Sequence, residues 1–127
     1  MRVKKFTVSV GTQIFKSCSD EARLRILYLI LKNKEMCISD LEHILDFTQS
    51  KTSRHISYLR NAGLLNVRKQ DQYVYYSVKD EMKEIMNLIF NFLEKDITLK
   101  KDFDTFQTLL SNRELSINKK NMEEYRR

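Results

Sequence analysis

The sequence predicts a mainly helical fold carrying one small β-hairpin, and three observations point there. The 127-residue chain has two glycines and no proline, so little interrupts its helices. Apolar residues recur at helical spacing through most of its length. Only residues 64–69 and 73–78 instead alternate in β-branched and aromatic side chains, with polar Gln70, Asp71 and Gln72 near the join. The composition, 42% hydrophobic and 31% charged, is that of a globular protein, and the length suits a single core.

The first helix is expected at residues 13–18. The next, SDEARLRILYLILK, has Ser19 or Asp20 to receive the free N–H groups of its first turn. Leu24, Ile26, Leu27, Ile30 and Leu31 give it a wide apolar face. Residues 33–36 break the pattern. Ser39-Asp40-Leu41-Glu42 then reads as a capping box opening a short helix at about 40–46, with Leu41, Ile44 and Leu45 on one side. After a turn at Asp46 and Phe47, Thr48 is the expected N-cap of a helix running to about Ala62, with Thr52, Ile56 and Leu59 inward. Gly63 falls where a left-handed residue ends a helix at low cost. The hairpin follows, though its turn lacks the usual glycine.

A long helix over 80–95 is apolar around more than half its circumference, which suits burial on two sides. Residues 97–110 begin amphipathic, and ELSINKKNMEEYRR is expected to be frayed. A short helix, a turn, a second helix and then a β-hairpin is the winged helix-turn-helix plan.

Charge and chemistry narrow the function. The net charge is +6, and residues 49–72 hold Lys51, Arg54, Arg60, Arg68 and Lys69 against one acid, Asp71. A basic excess gathered on one segment suits a polyanionic partner. No glycine-rich phosphate loop or nucleophile–base grouping is present, so an enzyme is not expected and no catalytic residue is assigned. No apolar run is long enough to span a membrane or serve as a secretion signal, so a cytoplasmic location is expected, with Cys18 and Cys37 as reduced thiols.

From Phe15 to Val78 the chain resembles the ArsR-type family of small bacterial winged-helix repressors. FKSCSDEARLRILYLIL is similar to that family's opening helix, and the SRHISYLRNAGLL string with the later YVYY strand is similar to its recognition helix and wing. The resemblance implies a homodimer bound to an imperfect palindrome in double-stranded DNA. It implies that the first turns of the 48–62 helix meet the major groove. Thr48, Gln49, Ser50, Lys51 and Ser53 would then face bases and phosphates, and Arg54, His55 and Arg60 phosphate. Arg68, Lys69, Gln70, Gln72 and Tyr73 would form the wing. Pairing through the first and last helices would use Ile14, Phe15, Met82, Ile85, Met86, Ile89, Phe90 and Leu93. Residues 1–96 would thus be the DNA-binding and dimerisation domain, and 97–127 a C-terminal extension, helical and then flexible.

Many members of that family sense metals. Their Cys-x-Cys pair is here Cys37-Ile38-Ser39, with a hydroxyl in place of the second thiol, and residues 80–95 contain no histidine. A soft metal ion wants two or more thiolates or imidazoles, so no metal site and no cofactor are expected. Two alternatives stay open: a metal- or thiol-responsive repressor using Cys37 or Cys18, and a dimeric protein-interaction module of the same fold. The inducing signal is unknown.

Overall fold

Helix ends set the frame. In the computed structural model, which describes residues 5–118, Thr7 accepts a bond from the Val10 N–H and opens α1 (Val8–Ser17). Sequence reading began this helix five residues later. The β-branched stretch before Gln13 has weak helix propensity, and the Thr7 cap offsets it. Asp20 caps α2 (Glu21–Lys32), whose Ile26, Leu27, Leu29 and Ile30 are fully buried at the centre of the core.

The break at 33–36 contains a strand. Lys34 takes a left-handed conformation (φ 64°), and β1 (Glu35–Met36) pairs antiparallel with Tyr76 and Ser77. α3 (Ile38–Leu45) starts before the expected capping box. Its N-cap is Cys37, with no side-chain cap bond. Ser39 instead lies 3.0 Å from the Ser116 hydroxyl, and Asp40 is buried against the same distant segment.

α4 (Gln49–Asn61) matches expectation. Thr48 accepts from the Lys51 N–H, and Thr52, Ile56 and Leu59 are buried. At Gly63 φ is +87°, and no atom lies within 4 Å of the place a Cβ would take, so backbone conformation rather than space favours glycine there. β2 (Leu65–Gln70) and β3 (Tyr73–Val78) form the hairpin around Asp71-Gln72, with Asp71 at φ 55° doing the work expected of a glycine. Among the described residues the sheet is three-stranded and antiparallel, in the order β1-β3-β2, where the sequence suggested two strands.

α5 (Asp80–Phe92) buries Met82, Met86 and Phe90 in the same core, with the Phe90 ring 5.4 Å edge-on from Tyr28 of α2. Its other side leaves Leu88 and Phe92 exposed. α6 (Ile97–Ser111), capped by Asp96, packs on α2 and α3 and adds Leu99 and Phe106 to that core. The expected fraying fails at its described start: Leu115 has no exposed surface. Residues 119–127 of that expectation, and residues 1–4, lie outside the described part. No helix among the described residues is long and apolar enough to cross a membrane.

Candidate nucleic-acid interface

α4 carries its polar side chains at its start, next to the hairpin. Thr48, Gln49 and Ser50 are exposed in and before its first turn. Gln49 and Ser53 line an open groove together with Gln72 and Tyr73 from the hairpin and Ser39 and Glu42 from α3. Lys51 is held with its ammonium 4.0 Å from the centre of the Phe47 ring. Arg54 is exposed, and no ion pair involving it is found among the described residues. Arg60 is exposed in the last turn, roughly 16 Å along the axis from Gln49 at 1.5 Å per residue.

Three expected contacts look different in place. His55 is only 8% exposed and faces Asp20 and Arg23 of α2, with Lys51 and Arg54 also near. Burial pushes its pKa below 6.5, Asp20 opposes that, and the three cations add to it. In the protomer the His55 imidazole is packed rather than exposed. Arg68 binds Glu35 through Nε (3.1 Å) and Nη2 (2.6 Å), donates to Gln70, and lies 4.5 Å over the Tyr75 ring. Because side chains alternate along a strand, Arg68 and Lys69 leave β2 on opposite faces. Finally, Ile14, Met82, Met86 and Phe90, expected at a dimer seam, belong to the protomer's own core. Ile85, Ile89 and Leu93 pack partly against it, while Phe15 is 72% exposed.

The His55 environment makes stability depend on pH. Its folded pKa lies below the unfolded value of 6.5, so the unfolded chain takes up more protons between the two. Stability is therefore full above 6.5 and falls as the pH drops toward the folded value. Urea midpoints measured between pH 7.5 and 5 should fall less steeply in His55→Gln than in the natural sequence. Parallel curves would show that His55 is not held neutral.

Sequence reasoning missed Arg25 and Phe47. Arg25 pairs with Asp102, and its guanidinium lies 5.2 Å from the Phe47 ring, which also carries Lys51. A lone aromatic in the turn before α4 was the available signal.

The model of the bacterial regulatory protein arsR family matches residues 20–67, which span α2 to the start of β2. The cadmium resistance regulator CadC of Listeria innocua is 34% identical over 95 residues, covering 74% of this chain and 80% of that protein. The chain belongs to the ArsR family. The arsenic resistance regulator ArsR1 of Pseudomonas putida is 39% identical over 71 residues, but the match spans only 56% of that protein's length. Among solved structures, HlyU of Vibrio cholerae superimposes with a TM-score of 0.61 at 32% identity, over 66% of this chain and 91% of that one. The fold of this ArsR-family chain is thus the winged helix-turn-helix, with α3 and α4 as the paired helices and β2–β3 as the wing. These ArsR-family relatives are named as transcriptional regulators.

Arsenic and cadmium in those names raise the question of ligands here. Cys37 is buried at the head of α3, and Cys18 is half-buried, its thiol pKa pushed up by burial against the opposing pull of Arg23. Among the described residues no three His, Cys, Asp or Glu side chains are grouped to hold a metal ion.

Proposed function

We propose that the protein is a homodimeric, sequence-specific DNA-binding transcriptional repressor that occupies an imperfect palindrome. The observation that carries this reading is the exposed first turn of α4, Gln49 and Ser50 behind the Thr48 cap, standing beside the hairpin and followed by exposed Arg54. Donors and acceptors at a helix tip are what base edges in a major groove require, and a cation one turn on suits the flanking phosphate. Gln49, Ser50 and Ser53 read bases; Lys51, Arg54, Arg60 and Lys69 meet phosphate; Gln72 and Tyr73, which share the groove with Gln49, lie along the wing's contact, while Gln70 is tied to Arg68 on the opposite face of β2 from Lys69. Thr48 acts chiefly as the cap. Residues 1–96 bind DNA and dimerise, and the extension begins at 97.

Dimerisation draws on the exposed apolar side chains of α1 and α5, Phe15, Leu88 and Phe92, which a two-fold partner would cover. The location that fits this work is the cytoplasm.

Binding-site selection with the purified protein tests the reading: one enriched palindrome is expected, with half-sites about 34–36 Å apart. Recovery of no enriched sequence refutes it. Gln49→Ala should then cost about 1–3 kcal/mol at a single base position in each half-site and leave the others unchanged, as read by repeating the selection.

The relatives' names favour a second reading, a repressor released by a soft metal or metalloid through Cys37 or Cys18. Tight stoichiometric uptake of Cd²⁺ or arsenite, abolished by Cys37→Ser, would establish it.

A further inference from the structure

Two buried carboxylates tie the C-terminal part of the chain to the helix-turn-helix, and neither belongs to the surface proposed for DNA. Asp102 of α6, 5% exposed, accepts bonds from Arg25 Nε at 2.8 Å and Nη2 at 3.0 Å. The Arg25 guanidinium faces the Phe47 ring at 5.2 Å, and Lys51 of α4 faces that ring at 4.0 Å. A line of contacts therefore runs from α6 through α2 to the turn that aims α4. Asp40 of α3, 4% exposed, makes the second tie. Its Oδ1 accepts from the Ser116 N–H at 2.6 Å and its Oδ2 from the Ile117 N–H at 3.4 Å.

The segment that meets Asp40 is folded for the purpose. Arg113 at φ 59° turns the chain back after α6, and the Glu114 N–H bonds to the Leu109 carbonyl. Leu115 is fully buried, and Asn118 closes the hook by accepting from the Leu115 N–H and donating to the Leu110 carbonyl. Apolar contacts alone would hold α6 on the core but tolerate sliding. Hydrogen bonds donated to buried carboxylates are directional and fix angle and register.

We propose that residues 97–118 brace the recognition unit, with Asp102 and Asp40 as positioning residues for α4 and α3. This rests on the DNA-binding reading. Asp102 sets Phe47, and through it the first turn of α4; Asp40 locks α3 against the hook.

The test uses the full chain carrying Asp102→Asn or Asp40→Asn, titrated against the selected palindrome and an unrelated duplex of equal length across a salt series. Thermal melts establish the folded fraction. Affinity for the palindrome should fall about tenfold in each variant, while affinity for the unrelated duplex and the salt slope stay as in the natural sequence, and Asp102→Glu should recover most of the loss. Folded variants that bind the palindrome as the natural sequence does would overturn the proposal and leave the two carboxylates merely structural. If the Asn variants do not fold, Phe47→Leu decides, since it keeps apolar volume and removes the ring: unchanged preference for the palindrome overturns the Asp102 arm. A natural sequence that enriches no palindrome would instead sink the DNA-binding reading, and the brace with it.

Discussion

In the proposed dimer, Phe15→Glu and Phe92→Glu should each leave monomers of 15.3 kDa in sedimentation runs at micromolar concentration. The two rings are 72% and 88% exposed in the protomer, a costly arrangement for phenylalanine unless another surface covers it. Covering one such ring gains about 1.5–3 kcal/mol, and two-fold symmetry makes every side chain count twice. Loss of either ring, replaced by a carboxylate, should therefore raise the dimer dissociation constant at least on the order of a hundredfold. Palindrome affinity should fall with it, because one protomer holds one half-site. Neither ring belongs to the protomer's core, so the monomers should still fold, with a melting temperature lowered only by the lost dimer contacts. Variants that stay dimeric would move the seam elsewhere on the surface.

The family resemblance placed the seam also on Ile14, Met82, Met86 and Phe90, which the fold buries in the protomer's own core. Helical periodicity marks a residue as apolar-facing but does not say which neighbour it faces. Met82, Met86 and Phe90 were as good a stripe as Leu88 and Phe92 until the packing of α5 on α2 divided the helix into an inner and an outer face. The recognition helix was legible in full because its signals are local: the Thr48 cap, the inward Thr52, Ile56 and Leu59, and the left-handed Gly63 all act within a turn or two of chain. The capping box failed for the opposite reason. Ser39 and Asp40 have partners 76 or 77 residues away, and no window around α3 contains Ser116. β1 failed because two residues show no period, and it exists only through its register on Tyr76 and Ser77. Arg68 looked as free as Lys69 for a similar reason, since Glu35 lies 33 residues before it.

That distinction among the cations yields the other large effect. A dimer that neutralises about six to ten phosphates should lose about 10³–10⁵ in DNA affinity between 50 and 200 mM salt, since the released counterions supply most of the attraction. Each phosphate contact removed lowers the slope of log affinity on log salt by about 0.9, and a dimer loses two at once. Arg54→Ala and Lys69→Ala should each lower the slope by about 1.8, equally on the palindrome and on unrelated DNA. Arg68→Ala should not. Its guanidinium already has both Glu35 oxygens, the Gln70 carbonyl and the Tyr75 ring, so its charge is largely answered within the sheet. What that substitution removes is the clamp between β1 and β2, so the expected signs are a lower melting temperature and an unchanged salt slope. A fall in slope for Arg68→Ala as large as for Arg54→Ala would mean that the Glu35 pair opens on DNA, and that the wing binds with its other face.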